Sequence, residues 1–207
     1  MGDTGSKPHT LIVSDIHERL YVLTDKLTEQ LEQADRVVFL GDWFDTFATY
    51  DVDRARQVCS WIVSHVETKP GWTFLLGNHD IHYASGNGMY VCSGYNTRTR
   101  SIVEEMIPKD IWRCFHVYTK VGPYLVSHAG FTEWTLQYAK PEVEQDAIKD
   151  LLEGKYDPLF GAGRARGGNL QVGGPLWLDW NWEFEHVDDC PQIVGHTPAN
   201  NVRSKGS

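Results

Sequence analysis

The sequence predicts a single α/β domain built on a parallel sheet, and three observations carry that prediction. Short apolar runs alternate with amphipathic stretches at β-α-β spacing. Five of these runs end, each at its carboxyl side, on Asp, His or Asn: Leu11–Ser14 at Asp15 and His17, Val37–Leu40 at Asp42, Trp72–Leu76 at Asn78 and His79, Tyr124–Ser127 at His128, and Gln192–Gly195 at His196. Open α/β sheets bind their ligands at that edge. Third, 207 residues suit one sizeable core, and no linker or internal repeat divides them.

Taken in order, residues 1–9 read as a flexible polar tail and 10–207 as one domain. A strand over 10–14 leads to a helix from Leu20 to Gln33, whose face is set by Leu20, Leu23, Leu27 and Leu31. The strand over 36–40 follows, and the crossover makes it parallel to the first. Val58, Trp61, Ile62 and Val66 mark a helix over 52–66, ended by Pro70-Gly71, before the strand over 72–76. Residues 81–97, rich in Gly, Tyr, Ser and Asn, read as a long surface loop, and Arg98–Ile107 as a short helix. Phe115–Lys120 and Tyr124–Ser127 flank Val121-Gly122-Pro123 and predict a hairpin in a second sheet. A helix over 141–153, a glycine-rich lid over 154–175, the Trp-rich run Pro175–Trp182 and a strand over 191–195 complete the chain.

Composition narrows the function. A net charge of −9 argues against a broad nucleic-acid footprint. No run reaches the roughly 20 apolar residues of a membrane span, and the start of the chain has no apolar signal segment. Cys59, Cys92, Cys114 and Cys190 are scattered, with no CxxC pair, and predict free, mostly buried thiols in a reducing cytoplasm.

The strand-end residues describe a metal site. Hydrolysis by divalent ions needs hard oxygen and imidazole donors on rigid elements. Asp15 and His17 reach one ion from one loop; Asp42 is the natural bridge; Asn78, His128 and His196 complete a second ion. Asp45 and His79 remain, and a carboxylate beside an imidazole orients a general acid and keeps it protonated. Asp80 either supports His79 or caps the segment that follows. His9, His65, His82, His116 and His186 read as ordinary surface or partly buried residues, and Trp177, Trp180 and Trp182 as core.

Five motifs, Asp15-Ile16-His17, Gly41-Asp42-Trp43-Phe44-Asp45, Gly77-Asn78-His79-Asp80, Ser127-His128-Ala129-Gly130 and Gly195-His196-Thr197-Pro198, occur in the order D-x-H, G-D-x-x-D, G-N-H-[DE], H, G-H. In this the chain resembles the calcineurin-like metallophosphoesterase superfamily. Pro198 stands where its nucleases and many phosphodiesterases have a second metal-binding His, and with Leu176-Trp177-Leu178-Asp179 it makes the chain similar to the phosphoprotein phosphatase branch. The resemblance implies an α-β-β-α sandwich of two central mixed sheets flanked by helices. It also implies two divalent ions, with manganese the first expectation and iron or zinc compatible. The activity implied is serine/threonine protein phosphatase, a phosphomonoester hydrolase in which a hydroxide bridging the ions attacks in line and His79 protonates the leaving oxygen. Its partner would be a phosphorylated protein or a small phosphomonoester. The runner-up is a dinucleoside polyphosphate (diadenosine tetraphosphate) hydrolase, and a catalytically silent scaffold of the same fold ranks below it.

Three departures qualify the resemblance. The branch's phosphate-clamping Arg after G-D-x-x-D is Thr46, followed by Phe47 where the branch has Gly. A second phosphate-binding Arg is expected between the last two His ligands, near the Trp segment, but only Arg164 and Arg166 lie in that interval, both upstream of Trp177; the Gly that usually follows D-x-H is Glu18, and the family's final strands after the last His are also expected to be missing. Arg19, Arg164 and Arg166 are the candidates to replace the clamp.

Overall fold

The computed structural model describes residues 8–206. Three strands, β1 (Thr10–Val13), β2 (Arg36–Phe39) and β3 (Trp72–Phe74), pair parallel in that order, with Val13 opposite Phe39 and Phe39 opposite Phe74. A second, mixed sheet holds β4 (Tyr118–Val121), antiparallel to β5 (Tyr124–Ser127), and β6 (Gln192–Ile193), parallel to β5. Val38, Leu40 and Leu75 from the first sheet meet Val126 from the second in one buried cluster, so the sheets pack face to face as a sandwich. A single bridge from Leu75 to His116 ties their edges.

Helices cover the outer faces. They are α1 (Thr28–Gln33), α2 (Val52–His65), α3 (Asn78–Ala84), α4 (Thr97–Met106), α5 (Lys109–Trp112) and α6 (Pro141–Leu152). Asp51 caps α2 by accepting the Asp53 N–H, and Asn96 caps α4 through the Arg98 N–H. The larger core beneath them is aromatic: Trp43, Phe39 and Phe74 are fully buried, and Phe39 stacks on Phe74 with centroids 5.0 Å apart.

The departures from sequence expectation have physical reasons. The helix expected over 20–33 is split into a π-type turn at Val22–Lys26 and α1, because Leu27 N–H bonds Val22 O five residues back. Residues 81–84, expected in a loop, extend α3 and are fully enclosed. The expected lid is instead a packed segment: Phe160, Gly161 and Gly163 are buried, and Gly174 N–H bonds Gly161 O at 3.0 Å. A Cβ on Gly174 would strike the Leu159 carbonyl, so that glycine serves close approach rather than mobility. Of the tail expected over residues 1–9, positions 1–7 lie outside the described residues. His9 is tied in, its N–H donating to Asp35 at 2.7 Å. All four cysteines are free, but only Cys59 is buried. No helix among the described residues is long and apolar enough to cross a membrane.

Candidate metal centre and active site

Strand ends build the site, and their backbone is strained to do so. Asp15, His17, Glu18, Asp42, Asp45 and His196 all have positive φ, between 45° and 64°. Each such turn in a non-glycine residue costs about 1–3 kcal/mol and persists only where its surroundings over-determine it. Here the determinants are visible. The loop after β1 is pinned to the loop after β2 by Asp15 N–H to Gly41 O (3.2 Å), His17 N–H to Asp42 O (2.8 Å) and Glu18 N–H to Trp43 O (2.9 Å). Gly77 lies so close to Asp42 that a Cβ there would overlap the carboxylate.

Asp80 secures the same corner. Its carboxylate accepts the N–H groups of Asp42 (2.8 Å), Trp43 (2.9 Å) and Gly77 (2.8 Å). It therefore caps α3 and holds the backbone of Asp42, rather than supporting the His79 side chain. Burial and the charge of Asp42 push Asp80 up to about 7.

Two groups of donor atoms converge in one cleft and share Asp42: Asp15, His17 and Asp42 on one side, Asp42, His128 and His196 on the other. The tautomers suit metal binding. His128 Nδ1–H donates to Leu40 O at 2.8 Å, and His17 Nδ1–H is shared by Phe44 O (2.9 Å) and Asp45 O (3.0 Å). A carbonyl can only accept, so Nδ1 of each ring carries a proton and Nε2 is the atom turned toward the carboxylates, the one a neutral ring would offer to an ion. His128 Nε2 stands 3.1 Å from Asn78 Oδ1, 3.0 Å from His196 Nδ1 and 3.4 Å from Asp42 Oδ2. That is a crowd of electron-pair donors facing one another, and His196 Nε2 is buried without a hydrogen-bond partner. Carboxylates, imidazoles and a carboxamide oxygen are the donor set that divalent ions take, so the residues fit two ions.

Electrostatics agree with that use. Burial opposes ionisation of Asp42, but the charges of His128, His79 and His17 and the His128 hydrogen bond hold its carboxyl far below the usual carboxylate range. Burial and then the neighbouring His128 charge drive His196 down to about 2, so it stays neutral.

His79 and Asp45 form the second feature. His79 Nδ1–H donates to Asp45 Oδ2 at 2.8 Å, which leaves Nε2 for a substrate. Burial disfavours a charged ring, yet the Asp45 bond outweighs it and raises His79 to about 11, so the ring is protonated at neutral pH. Asp45 has further partners: His82 Nε2 lies 2.9 Å from Oδ2, and the Tyr83 hydroxyl donates to Oδ1. Burial resists, but these bonds lower Asp45 from its ordinary value.

His82 is thus no ordinary surface residue; it is fully buried against Asp45. The missed signal was its position three residues after His79, on the same helix face. Cys92 was missed as well. Its Sγ is 3.4 Å from His82 Nδ1 and 3.8 Å from His79 Nδ1, and although burial opposes it, those contacts shift the thiol downward.

Around these groups lies a cavity of about 1390 Å³, lined by Asp15, His17, Asp42, Asn78, His79 and His196 among others. Arg19 and Arg166 line it; Arg164 is exposed and does not. Arg54 and Arg203, not anticipated, do. Arg166 is positioned by Asp179 (2.8 Å) and the Thr197 hydroxyl (2.7 Å). Trp177 belongs to the core and also reaches the cleft, Trp180 lines it under Arg203, and Trp182 is 83 % exposed.

Comparison with known proteins finds the same fold elsewhere. Solved structures of similar fold include a cold-active protein tyrosine phosphatase (17 % identity, TM-score 0.58, covering 95 % of this chain and 68 % of that one). The cold-active protein-tyrosine phosphatase of a psychrophile, Shewanella sp., matches at 16 % identity and TM-score 0.56, over 92 % of this chain and 68 % of that one. No curated protein matches the chain. The calcineurin-like phosphoesterase family matches residues 8–200, nearly the whole sequence, and the chain belongs to that family.

Proposed function

We propose that the protein is a phosphomonoesterase holding two divalent ions and acting on phosphorylated protein side chains, phosphoserine and phosphothreonine included. The observation that carries this reading is the sharing of Asp42 between two donor groups, with the His79–Asp45 pair on the wall beside them. Asp15, His17 and Asp42 would hold one ion; Asp42, Asn78, His128 and His196 the other. When bound, the ions would supply Lewis-acid charge to the phosphoryl oxygens and make a water acidic enough to lose a proton, giving the hydroxide that attacks phosphorus in line.

The chain's own residues do the rest. Asp42, ionised and fixed by Asp80, presents its carboxylate between the two groups. His79 carries a proton on Nε2 for the leaving oxygen, and Asp45 keeps the ring aimed. Arg166, anchored by Asp179 and Thr197, and Arg19, whose guanidinium donates to Asp15 O at 2.7 Å, supply cationic donors where the branch has its clamp.

A monoester dianion suits this charge better than a diester, and Pro198 removes the extra His of the diesterase-like pattern. Metal charge outweighs the missing Thr46-position Arg for a phosphate that touches both. A monoester preference with a high KM is the expected result. The test compares kcat/KM of the Mn²⁺-loaded protein on an aryl monoester, its bis-aryl diester and a nucleotide polyphosphate. Preference for the diester or for the anhydride overturns the proposal.

A further inference from the structure

One side chain at the mouth of the site is required by neither metal nor phosphate. Phe47 is 77 % exposed, yet its ring is placed. It meets the His17 ring edge-on with centroids 4.8 Å apart, and stands 6.0 Å from the ring of His79. Thr46, Phe47 and Ala48 together line the cleft. The phenyl ring lies edge-on to the His17 ring and near that of His79, and the rest of its apolar surface is open on the wall of the cleft.

Its side of the cleft matters. Phe47 neighbours His79, the group placed to protonate the leaving oxygen, whereas Trp177 neighbours His196, at 6.2 Å. A leaving group that takes its proton from His79 would therefore depart on the Phe47 side of the cleft. In an aryl phosphomonoester the leaving oxygen is bonded directly to the ring. The arene is then one bond from the atom His79 would protonate, and Phe47, 6.0 Å from the His79 ring, is the aromatic side chain on that side able to meet it. A seryl oxygen carries only a methylene, which offers Phe47 little to cover. In a nucleoside 5′-phosphate a whole sugar separates the base from the reacting oxygen.

We propose that Phe47 is a specificity residue that selects aryl phosphomonoesters, phosphotyrosine among protein side chains, over alkyl ones. The inference rests on the phosphomonoesterase reading above and names its substrate class.

The test uses the Mn²⁺-loaded protein and one peptide sequence carrying either phosphotyrosine or phosphoserine. An aryl ester is the easier bond to break, so wild-type preference alone is no support; the change of selectivity on substitution cancels that chemistry. Phe47→Ala should lower the phosphotyrosine/phosphoserine ratio of kcat/KM by about three- to tenfold. The loss should fall mainly in KM for the aryl substrate, and Phe47→Trp should keep or raise the ratio. Phenyl phosphate should lose as the phosphotyrosine peptide does, which separates recognition of the arene from recognition of the peptide. An unchanged ratio in Phe47→Ala overturns the inference while leaving the phosphomonoesterase reading intact. Wild-type protein that cleaves neither peptide nor phenyl phosphate overturns both.

Discussion

Asp80→Asn tests whether the metal centre is held from behind. In the wild type one carboxylate oxygen accepts two N–H groups, from Asp42 and Gly77, and the other accepts that of Trp43. Asparagine has a single acceptor. In its better orientation the carbonyl keeps two bonds without their charge assistance, and the NH₂ confronts the Trp43 N–H, which is then buried and unpaired. An orphaned donor costs about 1–3 kcal/mol and weakening two charge-assisted bonds costs about 1 kcal/mol more. Against this, burial and the nearby Asp42 charge already push Asp80 up to about 7, so in the metal-free protein removing its charge also relieves repulsion. Bound ions neutralise Asp42 and cancel that relief. The loss should therefore be about 3 kcal/mol in the Mn²⁺-loaded protein, a fall in Tm of about 6–12 °C for a domain this size, and clearly smaller with chelator. Activity should drop with metal occupancy. Thermal melts with Mn²⁺ and with EDTA, paired with metal analysis, decide it. An equal loss in both conditions, or none, refutes the reasoning.

Asp42→Asn removes the donor common to both groups and should abolish metal occupancy and most turnover together; two retained metals with near-normal turnover would contradict the bridging assignment. His79→Asn should slow phosphoserine hydrolysis far more than aryl phosphate hydrolysis, because an alkoxide needs the proton and a phenolate hardly does; equal losses would assign His79 a structural role. Glu18 is buried, and burial together with the Asp45 charge raises it from 4.5 to about 7. Its folded value exceeds its unfolded one, so stability present below about pH 4.5 is lost as the pH rises to 7, by about 2–3 kcal/mol. Glu18→Gln should therefore gain Tm over wild type at pH 8 and not at pH 4.5, and a gap that does not vary with pH would exclude the mechanism.

The sequence announced Asp15, His17, Asp42, Asn78, His128 and His196 because each follows an apolar run, and a parallel sheet delivers all such ends to one edge. What lay behind them was not announced. His82 and Tyr83 reach Asp45 through the pitch of α3, a relation visible only once residues 81–84 are known to be helical. Cys92 arrives from a loop, with no period to betray it. Glycine content could not distinguish a moving lid from a segment packed too tightly for side chains, and around Gly174 the second holds. Nor does any residue type announce that Asp15, Asp42 and His196 adopt left-handed backbone.

The hydrogen bond from His196 N–H to Asp15 Oδ2, 3.2 Å long, joins positions 181 residues apart. Closing a loop of that length costs about 5 kcal/mol of chain entropy, and one such bond returns about 1 kcal/mol. β6 adds only two register positions, Gln192 opposite Leu125 and Ile193 opposite Val126. The closure also leans on Gly195 N–H to His128 O and on Arg166 to the Thr197 hydroxyl, and two metal ions held by Asp15 and His196 and sharing Asp42 would act on it as a staple. Amide hydrogen exchange over 192–197 should slow on metal addition by more than the protein's average, making this seam the place where occupancy is written into the dynamics of the chain.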